Sequence, residues 1–230
     1  MKDTIINIML GNGRYLAYEE YEDIDMLVLN LEFGMKDFID SDFIYCSYSG
    51  DIEAVKLLLA YGANVNATDE LGKTAIMCSV EYGSVEVCES VVKLLLEYGA
   101  DPNIKDISRN TPLMYAMMEG RTSIIKLLLN AGADPNIKDY HNCTALMYAS
   151  KDSVDSIKLL LDAGADIEDK NVYGETMLMI SSKFNLVEVV RLLLDRGANI
   201  NSKDNEGNTA LSLTTEHKEV KTLLIERGGV

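Results

Sequence analysis

The stretch Thr111-Pro-Leu-Met-Tyr-Ala-Met-Met-Glu-Gly-Arg-Thr-Ser-Ile-Ile-Lys-Leu-Leu-Leu-Asn-Ala-Gly-Ala-Asp-Pro-Asn136 holds two helices together with the signals that start and stop them. Thr111 is an N-cap whose hydroxyl satisfies an orphan amide, and Pro112 lacks the donor that the first helical turn leaves unpaired. The apolar triplet Leu127-Leu-Leu129 follows a basic residue and leads to Gly132, where the chain can turn left-handed to close a helix. Asp134-Pro-Asn136 is turn chemistry and belongs to neither helix nor strand interior.

The same string returns along the chain. Gly62-Ala-Asn-Val-Asn, Gly99-Ala-Asp-Pro-Asn, Gly132-Ala-Asp-Pro-Asn, Gly164-Ala-Asp-Ile-Glu and Gly197-Ala-Asn-Ile-Asn place their first glycines 37, 33, 32 and 33 residues apart, and Gly228 follows 31 later. Lys56, Lys93, Lys126, Lys158 and Arg191 each stand before a Leu-Leu-Leu triplet. In the first copy Val55, Leu58 and Leu59 fall at i, i+3 and i+4, which is a helical stripe, and the extra Leu widens it enough to touch neighbours on two sides. Thr74, Thr111, Thr144, Thr176 and Thr209 stand 12 residues after the glycines and predict that another helix starts at each. The unit is helix, short turn, helix and a hairpin-like loop of about ten residues, repeated about six times.

Thr111-Pro-Leu-Met-Tyr-Ala116, Gly120, the run Ile124 to Leu129 and Gly132-Ala-Asp-Pro-Asn136 resemble the ankyrin-repeat family almost position for position. The resemblance covers roughly residues 38–230 and implies an all-α fold, a solenoid of stacked helix-turn-helix units with hairpin-like loops. Residues 1–37 are read as a degenerate N-terminal capping repeat in which Ile24 to Gly34 still looks like a second helix. Residues 38–230 are read as about six repeats of one continuous solenoid, with Asn208 to Val230 as the C-terminal cap.

Departures from the family pattern carry their own expectations. The family's His after Thr-Pro-Leu is replaced by Met77, Met114, Met147 and Met179, then by Ser212, so a column of thioethers should fill that space. These sulfurs are spread along the stack and do not converge as a copper site requires, so no metal is expected. Gly72, Gly174 and Gly207 close their loops, but Arg109 and Asn142 hold the same phase. Asn tolerates the left-handed region and Arg does so less readily, so the loop at Arg109 is either strained or differently shaped. The second repeat has four extra residues around Gly83 to Ser90, which lengthen a helix by about one turn or extend a loop.

Composition narrows the classes of function. The chain has 230 residues, 47% of them hydrophobic, and a formal net charge of −16, which excludes disorder for its bulk. No window approaches the roughly eighteen uninterrupted apolar residues of a bilayer span, and Met1 to Gly11 is too short and polar for a secretory leader, so cytoplasmic retention is expected. The acidity argues against nucleic acid, whose phosphates are met by Lys and Arg, and leaves proteins as partners, with a basic one as a candidate. Within the acidic run Glu19 to Asp25, which could steer such a partner, the Gly and bidentate Glu of a calcium loop are missing. Cys46, Cys78, Cys88 and Cys143 form no Cys-x-x-Cys, and only His141 and His217 could assist a metal, so free thiols without zinc or disulfides are expected.

No phosphate loop, metalloprotease motif, triad order or dinucleotide fingerprint is present, so no catalytic residue and no cofactor is assigned. Asp69, Asp106, Asp139 and Asp204 recur at one place in the loops and are expected to bond backbone amides.

The family resemblance implies that loop tips and the starts of the following helices line a concave surface that binds other proteins. Carried over by phase, that surface takes Leu71, Ile107, Tyr140 and Tyr173 at successive tips, with Tyr82, Met118 and Phe184 near the ends of the same helices. Each tip side chain could pack on the next loop or meet a partner. The row is read as a binding face because large exposed apolar patches are uncommon on idle surfaces. The expected function is a non-enzymatic, monomeric interaction scaffold. The alternative, suggested by a composition rich in Asn, Ile and Tyr, is a microbial effector that acts on a host protein after secretion.

Overall fold

A computed structural model describes residues 8–10, 14–16, 39–82, 85–214 and 218–230, with side chains for 39–81, 87–214 and 218–230. These residues belong to two compact units, residues 1–100 and residues 101–230.

The first unit opens with a pair of short antiparallel strands, β1 (Ile8–Leu10) and β2 (Arg14–Leu16), with Met9 opposite Tyr15. No strand was anticipated from the sequence. Apart from this pair, residues 1–37 lie outside the described residues, and with them the helix expected at 24–34 and the acidic run Glu19 to Asp25. Two helix pairs follow, α1 (Ile39–Ser49) with α2 (Ile52–Ala60) and α3 (Ala75–Tyr82) with α4 (Val85–Glu97). Asp51 caps α2 by accepting the Ala54 amide at 3.0 Å. Helix α4 has 13 residues where α2 has 9, so the extra residues of this repeat lengthen the helix by about one turn.

The second unit contains α5 (Pro112–Met118), α6 (Thr122–Asn130), a 3-10 turn (Ala145–Tyr148), α7 (Val154–Asp162), α8 (Met177–Lys183), α9 (Val187–Asp195) and α10 (Lys218–Glu226). The Thr caps work as their spacing implies. The hydroxyls of Thr111 and Thr176 accept the amides of Met114 and Met179 at 3.4 Å, as Thr74 in the first unit accepts that of Met77 at 3.5 Å.

At two threonines the expected helix is absent. Residues 210–213 make only turns after Thr209, and Thr144 is followed by the 3-10 turn. Thr144 and Ile157 are one residue closer in sequence than Thr111 and Ile125. The missing residue is the left-handed one that separates the helices elsewhere, at Gly50 (φ 80°), Gly120 (φ 64°) and Asn185 (φ 56°). Ser150 and Ser153 brace the tighter connection instead, the Ser150 amide donating to Ser153 Oγ at 2.9 Å and the Ser153 amide to the Ser150 carbonyl at 3.1 Å. Beside this 3-10 turn the Thr144 hydroxyl is buried and has no hydrogen-bond partner among the described residues.

Within both units the leucine triplets do what a wide stripe should. Leu58, Leu95, Leu128, Leu160, Leu193 and, in the last helix, Leu224 are completely buried, while their Leu neighbours on either side in the triplets are half-buried. The methionine column Met77, Met114, Met147 and Met179 is buried, and Ser212 at the end of that series is exposed and accepts the Thr209 amide at 2.9 Å.

In the second unit the Asn that ends the repeat string joins consecutive turns. Asn103 Nδ2 donates to the Gly132 carbonyl at 3.1 Å while its Oδ1 accepts the Asp134 amide at 2.8 Å, and Asn136 repeats both bonds toward Gly164 and Asp166. Asn201 does the same toward Gly228 and Val230. Glu168 holds this phase in the intervening repeat, and its carboxylate accepts the Asn199 amide at 2.6 Å with no amide to donate.

Cys46, Cys78 and Cys88 are buried and Cys143 is half-buried, and none of the four is in a disulfide. Burial, with a smaller contribution from Asp51 and Asp42, pushes the Cys46 thiol up to about 12, and burial pushes Cys78 up to about 11.

Leu128→Ala, which truncates a fully buried side chain, should lower unfolding free energy by about 2–5 kcal/mol in urea titrations. In the folded protein at neutral pH a thiol reagent should label Cys143 well ahead of Cys46, Cys78 and Cys88, with all four reacting in denaturant. The folded state holds its thiol protons above the pH of about 8.5 at which an unfolded cysteine ionises. The stability this contributes is therefore complete below that pH and is lost as pH rises through about 11 to 12.

Candidate protein-binding loop face

Each loop is closed by one side-chain oxygen that accepts two backbone amides. In the first unit Asp69 Oδ1 accepts from Leu71 at 2.9 Å and from Lys73 at 2.8 Å. In the second unit Asp106 serves Ser108 and Asn110, Asp139 serves His141 and Cys143, and Asp204 serves Glu206 and Asn208, all between 2.7 and 2.9 Å. Asn171 does the same for Tyr173 and Glu175 at 3.0 Å without a charge, a role not assigned from the sequence.

Two of these carboxylates are held again from the following turn or helix. Tyr115 Oη donates to Asp106 Oδ2 at 2.8 Å, and Tyr148 Oη donates to Asp139 Oδ2. Burial and then the Asp139 hydrogen bond hold the Tyr148 phenol well above the usual tyrosine range. Asp106 and Asp139 are themselves buried, so both carboxylates are committed to holding loop shape.

The turn geometry is the same whether or not glycine supplies it. Arg109 (φ 65°) and Asn142 (φ 56°) adopt the left-handed conformation that Gly174 (φ 78°) adopts in its loop, so the loop at Arg109 keeps its shape and accepts the strain. The Arg109 guanidinium stands 5.8 Å from the centroid of the Tyr140 ring, a cation–π contact with the next loop. At Gly174 a Cβ would also fall 2.5 Å from Asn205 Oδ1 and 2.8 Å from the Asn205 amide nitrogen, so steric contact as well as backbone conformation demands glycine there.

Neighbouring loops of the second unit are joined through backbone. Tyr140 N donates to Ser108 O at 3.3 Å, Val172 N to His141 O at 2.9 Å and Asn205 N to Tyr173 O at 3.0 Å. The tip side chains are left in solvent: Ile107 is 58% exposed, and Tyr140 and Tyr173 are 65% exposed. Met118 ends α5, and Phe184 is the C-cap of α8; both are exposed. In the first unit Leu71 is exposed, and the side chain of Tyr82, the last residue of α3, lies outside the described residues. Exposed apolar residues that the sequence reading passed over include Tyr98, after α4, and Tyr45 and Tyr48 on α1, whose rings lie 6.2 Å apart. The i, i+3 spacing of that tyrosine pair was the available signal.

Among the described residues no group of three or more His, Cys, Asp or Glu is placed to hold a metal ion, and no helix is long and apolar enough to cross a membrane. A family model described as ankyrin repeats, in three copies, matches residues 43–139, 89–171 and 146–229. The chain belongs to the ankyrin-repeat family. Ankyrin repeats form a protein–protein interaction domain, and helix pairs joined by long hairpin-like loops in both units are the arrangement that the family match requires. No curated protein matches the chain.

Tyr115→Phe removes a buried hydrogen bond to an ionised acceptor and should destabilise this ankyrin fold by about 1.5–3 kcal/mol in denaturant titrations. Ile107→Ser, at an exposed tip, should change stability by no more than about 0.5 kcal/mol in the same assay.

Proposed function

We propose that this ankyrin-repeat protein is a non-enzymatic scaffold that binds a partner protein through its loop tips and the helices that follow them. The observation that carries this reading is the exposure of Ile107, Tyr140 and Tyr173 on loops whose backbones are already bonded to one another. Rigid loops that present aromatic and apolar side chains lower the ordering cost of association, and aromatic anchors among polar neighbours are the usual source of interface energy. Met118 and Phe184 supply further apolar surface in the same unit, and Leu71 and Tyr82 are the corresponding positions of residues 1–100. Cysteines outside any disulfide suit a reducing compartment, which supports a cytoplasmic role.

The test is quantitative affinity capture from the native source with wild-type protein beside an Ile107→Ser/Tyr140→Ser/Tyr173→Ser variant, with Leu71→Ser as a separate arm. A partner reduced about tenfold or more by the triple variant, at unchanged thermal stability, is the expected result. Equal capture by both would move the binding surface away from the tips.

A further inference from the structure

The net charge of −16 is unevenly distributed along the chain. Residues 1–100 hold 6 Lys+Arg against 18 Asp+Glu, whereas residues 101–230 hold 15 against 19. Within the second unit the loops depart further from the mean. The segments 105–111, 138–144 and 170–176 contain Lys105, Arg109, Lys138 and Lys170 against Asp106, Asp139 and Glu175.

Those three carboxylates are already occupied. Asp106 and Asp139 are buried, each binding two loop amides and a tyrosine hydroxyl. Glu175 accepts from Asn171 Nδ2 at 2.9 Å and pairs with Lys183 at 3.4 Å. Of the cations, Lys138 pairs with Asp169 at 2.6 Å and Arg109 stands over the Tyr140 ring. Lys105, Arg109 and Lys170 have no carboxylate within 4 Å among the described residues, and all three are exposed. Lys170 Nζ donates to the Lys203 carbonyl at 2.7 Å, which leaves its charge uncompensated. The fourth loop differs, with Asp204 and an exposed Glu206 beside Lys203.

We propose that the loops of residues 105–109, 138–141 and 170–173 take an acidic peptide segment with at least one apolar side chain. Its carboxylates would be met by Lys105, Arg109 and Lys170, and its apolar groups by Ile107, Tyr140 and Tyr173. The proposal rests on the scaffold reading above and adds the charge of the partner, which is opposite to what the whole-chain charge suggests. Loops one repeat apart are separated by about the 10 Å of packed helices, so three of them span roughly 20 Å, the reach of about six extended residues. A single-stranded nucleic acid would also find cations and aromatic rings here. Three free cations are few for a polyanion, however, and the surrounding chain repels one over distances that a short peptide does not sample.

The experiment is selection of random peptides of about twelve residues, twice that span, on the full-length protein, with fluorescence anisotropy of the enriched sequences. Enriched peptides should be net negative and carry an apolar residue. Their affinity should fall about tenfold or more in Lys105→Glu/Arg109→Gln/Lys170→Glu and weaken from about 50 to about 500 mM salt, with Lys105→Arg/Lys170→Arg retaining it. Far-ultraviolet melting curves of all variants confirm folding. Neutral or basic peptides that are lost in the Ile107→Ser/Tyr140→Ser/Tyr173→Ser variant would overturn the acidic partner and leave the loop face standing. No enrichment, or peptides that this tip variant retains, would overturn both. A labelled oligothymidylate that displaces the peptides and binds more tightly than they do would overturn the proposal in favour of nucleic acid.

Discussion

A helix pair of this size cannot bury its own leucines. In the second unit Leu160 and Leu193 are fully enclosed between helices that pack on both sides of their own, α6 and α9 around α7, and α7 and α10 around α9. Enclosing each such side chain is worth about 1.5–3 kcal/mol. Repetition is therefore a thermodynamic requirement, and the 33-residue period is the amount of chain needed to bring the next leucine over the last one. Once the helices are fixed in this way, the loops have little apolar surface with which to hold themselves. Their order comes from polar devices, namely one oxygen for two amides, one phenol for the second oxygen, and one backbone bond to the neighbouring loop.

That division of labour explains what the sequence disclosed. Buried apolar positions repeat at fixed intervals, so most of the helices, the caps at Thr74, Thr111 and Thr176, the closing Asp residues and the buried methionines were legible from spacing. The 37-residue interval announced the longer α4 without deciding between helix and loop, and Arg109 announced a strained turn without deciding whether the loop would yield. The 32-residue interval after Gly132 carried the deletion that reduces a helix to a 3-10 turn, but a period counts residues and does not say which turn gives way.

Less legible were bonds between residues about thirty positions apart. Asn103, Asn136 and Asn201 read as ordinary turn residues until the next repeat's carbonyl and amide are placed against them. Tyr115 and Tyr148 read as part of the apolar run, yet their hydroxyls determine that Asp106 and Asp139 are committed inward. This is also why net charge misdescribed the loops. Counting ionisable residues treats every carboxylate as equally available, whereas Asp106 and Asp139 are buried and turned toward loop amides and a phenol, so an approaching cation cannot pair with them directly.

In a linear array, cooperativity passes only from neighbour to neighbour, so a single thin joint can divide it. The turn Ala145–Tyr148 contributes four residues where α5 and α8 contribute seven, and it leaves the Thr144 hydroxyl unsatisfied in the interior. Weak coupling across it would let the residues before and after it open separately, and amide protons of α5 and α6 would then exchange with solvent on a different timescale from those of α8 and α9. The loops at Ile107 and Tyr173 stand on opposite sides of this joint in the chain. A ligand held by both would clamp it, and part of its binding energy would be read as slower hydrogen exchange at Leu146 to Tyr148, residues that it never touches.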